Sequence, residues 1–329
     1  MGLYNIYKIP KSNGKFRTIA DPSKACRLQS EEMLDQLWYE INRLGVYGTE
    51  AAKRLHAYIP ERGCKTLVDD IYTFLGDTSD YDMFSIDVKD YFSSICKDEV
   101  VSLNEMMTGN TLHIEWFNKL WAELHPDNAR EFFPNDNIGI AQGNPACPTI
   151  ANLVGLYYID TIYNEWYHDT GIQLLEEMNV PALHYSRYSD NIYIVAKRTG
   201  NYSRTRLYDS LKQAFNNSPD FKFSMTVCGK YQSNVILGMR MGENRPRLTN
   251  KKWLRNLFHR IRTKGTAVLK HEDVVERFGA NLSWNDFTMK VKGLISYSIG
   301  IEPDLAKYIE GMVEYMEDNI HVGTSRRAL

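Results

Sequence analysis

The chain has 329 residues, of which 43% are hydrophobic and 24% are charged. This composition is typical of a folded globular protein, so it excludes disordered, collagen-like and low-complexity architectures. No window approaches about 18 uninterrupted apolar residues, and the N-terminal residues lack an apolar core, so we expect neither a transmembrane helix nor a signal peptide. Five widely separated cysteines with no CxxC pair argue against a zinc ribbon or a disulfide framework, and favour a reducing, cytoplasmic setting.

The net charge of −2 hides an uneven distribution along the chain. Residues 1–63 hold ten Lys/Arg and seven Asp/Glu, residues 64–250 hold 16 and 24, and residues 251–329 hold 13 and 10. An acidic middle suits a site for divalent cations, and basic ends suit a polyanion. Ordinary surface variation explains the same asymmetry equally well.

The first part of the chain predicts two short strands followed by helices. Residues 8–22 form two extended runs around a Ser-Asn-Gly turn. Apolar residues at helical spacing predict a helix over about 24–44, which Gly45 can end. A further helix over 64–76 and a short strand over 81–86 follow.

The remainder of the chain alternates helices with short strands. Residues 98–125 are predicted to be helical, and the loop after them, to residue 147, is rich in Asn, Asp, Pro and Gly. Pro148 opens a helix through about Tyr167, because the first turn of a helix does not need the N–H that proline lacks. Two strands around a tight turn are predicted at 184–186 and 191–196, and a helix is predicted at 203–217. Several short strands at 222–241 and a mostly helical tail beyond 247 follow.

Three segments carry residues suited to chemistry. In residues 84–95, FSIDVKDYFSSI, Asp87 ends an apolar strand, where a carboxylate is costly to desolvate without a cation. Residues 185–194 place a Ser-Asp-Asn turn between two β-rich stretches, and residues 139–149 place glycine and proline before a helix. Taken singly, each segment is equally well interpreted as ordinary structure: a solvated strand end, a plain hairpin and a loop before a helix.

Taken together, in this order and spacing, the three segments resemble the reverse transcriptase family of palm-fold polymerases. FSIDVKDYFSSI resembles its motif A, AQGNPACP (141–148) its motif B and RYSDN (187–191) its motif C. Upstream, IPKSNGKFRTIADP (9–22) resembles the fingers segment of bacterial reverse transcriptases, and downstream NVILGMRMG (234–242) resembles the strand that ends the palm. The resemblance covers about residues 7–265.

This resemblance implies an α+β right-hand polymerase fold, with fingers, a palm of antiparallel sheet plus helices, and a helical thumb. The expected domains are fingers at 1–80, palm at 81–245 with a fingers insertion at about 98–140, and thumb at 246–329. Stand-alone bacterial enzymes are the most similar members. The NAxxH and VTG signatures of retrons are missing, and Gln142, which diversity-generating enzymes usually replace, is present. The resemblance therefore implies a defence-associated or abortive-infection enzyme.

The resemblance also implies a metal site. Members of the family transfer nucleotidyl groups with two Mg²⁺ ions, and Mn²⁺ is an alternative. The positions that match are Asp87 and Asp190 as bridging ligands, assisted by the backbone carbonyl of Val88. Asp90 belongs to the family's DxxD pattern, and we expect it to be structural.

One position departs from the family pattern. The second carboxylate of the usual YxDD motif is Asn191 here, so the site carries one negative charge fewer. An amide oxygen can still coordinate a cation, but we expect weaker Mg²⁺ binding and a raised metal requirement. Asp87, Asp190 and Asn191 are the candidate catalytic residues.

Several side chains match positions that bind the incoming nucleotide in the family. Phe92 matches the aromatic residue that stacks beneath the sugar and excludes a 2′-hydroxyl, although a palm core aromatic is the alternative. Basic residues of the fingers would grip the triphosphate, a motif B pair would line the nascent base pair, and a lysine would protonate pyrophosphate. In chain order the nucleotide-binding candidates are Lys11, Lys15, Arg17, Phe92, Gln142, Gly143 and Lys230.

The segment KKWLRNLFHRIRTKG (251–265) holds six Lys/Arg and no acidic residue. Its apolar residues form a helical stripe, which we expect to pack on the palm, while its basic residues face the backbone of a nucleic-acid duplex. A basic surface without a ligand is the alternative. The nucleic-acid-binding candidates are Tyr188, Lys251, Lys252, Arg255, Arg262 and Lys264.

The resemblance leaves three functions open. The first is an RNA-directed DNA polymerase in antiphage defence, with a non-coding RNA as template, dNTPs as substrates and DNA as product. The second is a template-independent or protein-primed DNA polymerase of abortive-infection type. The third is a catalytically inactive RNA-binding scaffold, suggested by Asn191. A homo-oligomer or a second protein subunit is an open expectation, and no membrane partner is expected.

Overall fold

The computed structural model combines α-helices with antiparallel β-sheets, which confirms the predicted α+β class. The chain divides into two compact units, the first comprising Met1–Lys8 and Thr18–Ser233 and the second Ile9–Arg17 and Asn234–Leu329. The assignment of fingers, palm and thumb remains a prediction. The structure describes residues 4–10, 16–78, 80–109, 113–127, 133, 135–229, 235–237, 239–241, 246–248, 251–278, 283–299 and 301–325.

The helices and strands follow each other in the mixed order that the sequence predicts. The strands are β1 (Tyr4–Pro10), β2 (Phe16–Pro22), β3 (Tyr81–Val88), β4 (Leu183–Tyr188), β5 (Asn191–Lys197), β6 (Phe223–Gly229), β7 (Val235–Ile236), β8 (Met239–Met241) and β9 (Pro246–Leu248). The helices are α1 (Lys24–Arg43), α2 (Glu50–Lys53), α3 (Cys64–Leu75), α4 (Tyr91–Ser94), α5 (Lys97–Thr108), α6 (Ile114–Leu124), α7 (Cys147–Val154), α8 (Asp160–Trp166), α9 (Ile172–Glu177), α10 (Arg204–Asn216), α11 (Lys251–Lys264), α12 (Glu272–Phe278), α13 (Trp284–Ile299) and α14 (Pro303–Ser325). No helix in these described ranges is at once long enough and apolar enough to cross a bilayer.

A four-stranded antiparallel sheet in the order β4-β5-β3-β6 organises the first unit. Successive side chains of each strand point to opposite faces of the sheet. Phe84, Ile86 and Ile194 are fully buried on one face and pack with side chains from α7 and α10, whereas Asp87 on the other face is exposed. Burial of this apolar face stabilises the unit. At one end of the sheet lie the polar residues Asp87 of β3 and Asn191 of β5.

The predicted helix at Pro148 is longer and less regular than expected. It begins at Cys147, with proline in the first turn, and the helical path continues to Glu177 through two wide π-type turns, Gly155–Ile159 and Tyr167–Gly171. A Cβ atom at Gly155 would lie 2.4 Å from a guanidinium nitrogen of Arg187. The first wide turn therefore begins where the helix passes a buried arginine, a local deviation of the kind that often marks functional sites.

One expectation about the helices was wrong, and another is only partly tested. Residues 98–125 form two helices, α5 and α6, because Gly109 adopts a left-handed conformation with φ +70° that ends α5. The apolar stripe of α11 is buried, because Leu254, Leu257 and Phe258 lie in the core of the second unit together with side chains of α13 and α14, and its contact with the palm stays a prediction. A stripe pattern predicts that one face is buried, but it carries no information about which element covers it.

We expect Gly155→Ala to destabilise the first unit, although alanine favours a helix. Its methyl group would collide with the Arg187 guanidinium, and overpacking of this kind costs about 1–3 kcal/mol. Gly293→Ala in α13 is the matched control, because nothing lies within 4 Å of its Cβ position and the change should stabilise by up to about 1 kcal/mol. Urea unfolding measures both, and equal stability of Gly155→Ala and wild type would contradict the contact.

Candidate active site

The structure brings Asp87 and Asp190 together at one end of the central sheet. Asp87 is paired with Asn191 across β3 and β5, and the Val88 N–H donates to the Asp190 carbonyl at 2.9 Å. Residues opposed in an antiparallel pair have Cα atoms about 4.5–5.5 Å apart. Two carboxylates 103 positions apart in the sequence therefore occupy neighbouring places, one exposed and one half-buried.

Asp190 lies in the two-residue turn that joins β4 to β5. Ser189, the first residue of this turn, has φ +58°, which is uncommon outside glycine but fits the turns that join antiparallel strands. The Ser189 carbonyl accepts a hydrogen bond from Arg187 Nη1 at 2.9 Å. The Arg187 side chain, which lies beneath the turn, thus fixes the backbone that carries Asp190.

Arg187 is completely buried and forms an ion pair with Asp160 at the start of α8. Its Nε and Nη2 donate to the two carboxylate oxygens at 2.8 and 3.1 Å, and Nη2 also reaches the Asn152 carbonyl at 3.1 Å. Burial alone would lower the pKa of Arg187, but the Asp160 carboxylate outweighs it and raises that pKa. The Tyr185 hydroxyl donates to the same carboxylate, so the buried charges are compensated.

The Asn191 amide holds the candidate metal ligand beside it. Its Nδ2 donates to Asp190 Oδ1 at 2.9 Å, an assignment that follows because a carboxylate oxygen can only accept. The Asn191 side chain therefore orients the Asp190 carboxylate and adds no charge.

The motif B loop is tied to strand β2 by backbone contacts. The Ala20 N–H donates to the Gln142 carbonyl at 2.8 Å. Gly143 has φ +127°, and a Cβ there would lie 2.6 Å from the Ala20 carbonyl oxygen, so only glycine fits. Asn144 is buried and donates to the Tyr4 hydroxyl at 2.9 Å. Gln142 is half-buried, and Gly143 is exposed.

Phe92 connects motif A with the residue that precedes motif B. It lies in α4, just after Asp90, whose φ of +49° turns the chain out of β3. Its carbonyl accepts the Ile140 N–H at 2.9 Å, and its half-buried ring packs 5.9 Å from that of Tyr91 at the edge of the main core. This position is compatible with both the sugar-contact and the core interpretation.

Tyr188 completes a row of side chains across the sheet. It is paired with Asn191, which is paired in turn with Asp87, so the three side chains point to one face. Tyr188 is half-buried beside the Cys64 thiol, and burial, together with that thiol, raises the pKa of the Tyr188 hydroxyl.

The remaining predicted residues lie outside the part of the first unit that the structure describes. Lys11, Lys15 and Lys230 lie outside the described residues, and the structure describes the backbone of Arg17 in β2 but not its side chain. The α11 candidates belong to the second unit, where the exposed side chains are Lys252, Arg255, Arg262 and Lys264, and where Lys251 begins the helix.

Sequence reasoning missed the support beneath the site. Asp160 interrupts the mostly apolar run of residues 153–162, and a charged residue in a buried helix requires a partner. That signal marks Asp160 as paired, but it does not identify Arg187 as the partner.

The acidic pair fits a divalent cation that takes further ligands from elsewhere. Carboxylate and amide oxygens are hard ligands of the kind that Mg²⁺ prefers, and Mg²⁺ is usually bound by one or two carboxylates plus substrate phosphates. In the part of the chain that the structure describes, no three His, Cys, Asp or Glu side chains gather as a metal cage. The residues present therefore suit ions held jointly with a phosphate substrate.

We expect Asn191→Asp to destabilise the metal-free protein. The change removes a donor from Asp190 and places a second carboxylate beside it, at a cost of roughly 1–2 kcal/mol. Asn191→Ala loses only the hydrogen bond and should cost less. Urea unfolding at neutral pH in EDTA measures both, and high salt should recover part of the Asp loss only. Equal stability of Asn191→Ala and wild type would contradict the hydrogen bond, and equal stability of the two variants would contradict the repulsion between the carboxylates.

Solved structures with a similar fold include telomerases. The structure of telomerase from Candida albicans, in complex with a fragment of telomeric RNA, matches with a TM-score of 0.52 at 9% identity, covering 94% of this chain and 55% of that one. Apo telomerase from Candida tropicalis matches with a TM-score of 0.51 at 10% identity, covering 98% and 66%. The chain thus spans about half to two thirds of those proteins, and at this identity the likeness shows the fold alone.

No protein-family model matches the sequence, and no curated protein matches it either.

Proposed function

We propose that this protein is an RNA-directed DNA polymerase that uses two-metal nucleotidyl transfer. The observation that carries the proposal is the meeting of Asp87 and Asp190 at the end of an antiparallel sheet, in a fold shared with telomerase structures. The motif B region supports it, because Gly139 and Ile140, which lead into motif B, are hydrogen-bonded to motif A, and Gln142 within it is hydrogen-bonded to β2.

Asp87 and Asp190, with the Val88 carbonyl, would hold two Mg²⁺ ions. When bound, such ions activate the primer 3′-hydroxyl and neutralise the leaving pyrophosphate. Asn191 orients the Asp190 carboxylate through its 2.9 Å hydrogen bond, and Arg187 fixes the turn beneath it. Because one carboxylate of the family pattern is missing, we propose weak Mg²⁺ affinity and better support by Mn²⁺.

Nucleotide and nucleic-acid binding complete the proposal. Phe92 would contact the sugar, and Gln142 and Gly143 would line the nascent base pair. Basic side chains would contact phosphates: Lys11, Lys15 and Arg17 on the triphosphate, Lys230 on pyrophosphate, and Lys251, Lys252, Arg255, Arg262 and Lys264 on the duplex backbone.

The biological setting follows from the motif resemblance. We propose an antiphage-defence enzyme of the bacterial cytoplasm, associated with a non-coding RNA. The neighbour from Candida albicans carries a telomeric RNA fragment, which is compatible with an RNA partner here. Sequencing the nucleic acid that copurifies distinguishes templated synthesis from the template-independent alternative.

We expect labelled dNTP incorporation on an RNA template in Mg²⁺ or Mn²⁺, and its loss in Asp87→Asn and Asp190→Asn. Removing one ligand charge should lower the rate roughly 1000-fold or more, about 4 kcal/mol of barrier. Asp90→Asn is the matched control, because Asp90 is exposed in the same motif and asparagine tolerates its left-handed backbone. Wild-type protein without incorporation in either metal would support the scaffold alternative, which Asn191 favours.

Phe92→Ala should weaken discrimination against ribonucleotides. Removing the ring opens space for a 2′-hydroxyl, and we expect the dNTP-to-NTP ratio of kcat/KM to fall roughly 10- to 200-fold. Phe92→Tyr keeps the ring and serves as the control. If the ratio does not change while stability drops, Phe92 is a core residue only.

A further inference from the structure

Tyr58 has an unfavourable backbone conformation next to the candidate active site. Its φ is +55°, in the left-handed region that bulky residues avoid because of steric strain. Glycine or asparagine would adopt this conformation more easily. A strained tyrosine persists only where the surrounding structure holds it, and such positions cluster at functional sites.

Backbone hydrogen bonds to the motif C strand hold this segment. The His56 N–H donates to the Arg187 carbonyl at 3.0 Å, and the Arg187 N–H donates to the Arg54 carbonyl at 2.9 Å. The Asn152 side chain donates to the Ala57 carbonyl at 2.9 Å. Tyr58 therefore follows a segment that is anchored to the strand leading into the Asp190 turn and to the helix beneath it.

The Tyr58 ring stands beside the ring of Tyr188. It is 41% exposed, and the two ring centroids are 6.5 Å apart with planes tilted by 46°. Tyr188 lies in the same row across the sheet as Asn191 and Asp87. Two aromatic side chains thus lie next to the acidic pair, on the face of the sheet that carries Asp87.

Among the residues that the structure describes, neither ring is part of the main core of the first unit or packed against that core. In the described residues the helix-covered face of the sheet is filled by other side chains, such as Phe84 and Ile194, so that core does not explain a strained aromatic at position 58. An exposed aromatic surface beside a polymerase-type acidic pair has the chemistry that stacks on a nucleobase, because every base presents a π-face.

We propose that Tyr58 and Tyr188 form a stacking platform for a base of the bound primer–template, next to Asp87 and Asp190. The proposal rests on the proposed function and extends it to a residue that the motif resemblance does not include. Stacking of this kind tolerates all four bases and resists salt better than contacts with phosphates do.

The test is equilibrium binding of a fluorescent primer–template without divalent metal, at moderate and high salt. Tyr58→Ala should weaken binding about 5- to 100-fold, the range for loss of one stacked base, and Tyr58→Phe should bind like wild type. Tyr39→Ala is the matched control, since Tyr39 is a tyrosine of α1 that is 66% exposed and lies outside the motifs. Unchanged affinity of Tyr58→Ala would overturn the platform.

A second variant separates binding from folding. Tyr58→Gly relieves the backbone strain, so we expect its Tm to equal or exceed that of wild type while its affinity falls as in Tyr58→Ala. A structural role for the ring would lower both. A fall in Tm that accounts for the loss of affinity would therefore overturn the proposal.

Incorporation assays keep this proposal distinct from the proposed function. If Tyr58 variants lose affinity and wild type incorporates no dNTP, the stacking platform is supported and the proposed polymerase activity is rejected. If wild type incorporates dNTPs and Tyr58→Ala binds normally, the platform alone falls. If wild type binds no primer–template at all, both fall.

Discussion

The buried ion pair between Arg187 and Asp160 is the interaction on which the rest of the site depends. Leaving one partner of such a pair unpaired costs about 3–5 kcal/mol, because a charge would remain in a medium that solvates it poorly. The Arg187 guanidinium also donates to the Ser189 carbonyl, and the Arg187 backbone is hydrogen-bonded to the backbones of Arg54 and His56. One side chain and its peptide groups therefore hold the Asp190 turn and the Tyr58 segment together.

The two ends of strand β3 show how surroundings decide what a carboxylate can do. Asp82 is buried, and although burial raises its pKa, hydrogen bonds from Arg204, Arg198 and Tyr202 outweigh this and lower it. The protein itself compensates that charge. Asp87, five residues along the same strand, is exposed beside Asp190, and in the proposed function its charge is compensated by a metal ion and a phosphate substrate.

Asn191 illustrates the difference between a likeness of fold and a likeness of site. The telomerase structures share the fold at 9–10% identity, and such a likeness says nothing about single side chains. The geometry says more, because the amide nitrogen donates to Asp190. In the proposed enzyme, Asn191 leaves the metal site with one negative charge fewer, but it orients the Asp190 carboxylate. Metal affinity and the position of the remaining carboxylate are therefore set by different residues.

The sequence by itself determined the local structure and the chemical inventory. Two β-rich stretches around a turn predicted the strands at 184–186 and 191–196, proline predicted the helix start near 148, and the order of three motifs singled out Asp87, Gln142 and Asp190. These features depend on neighbours within a few residues, or on pattern alone. Tertiary structure decided that Arg187 pairs with Asp160, that Asn191 donates to Asp190, and that Tyr58 stands beside Tyr188. It also decided that the α11 stripe is buried within its own unit. Each of these depends on a contact between residues distant in the chain, and a side chain's need for a partner does not specify which partner the fold will bring to it.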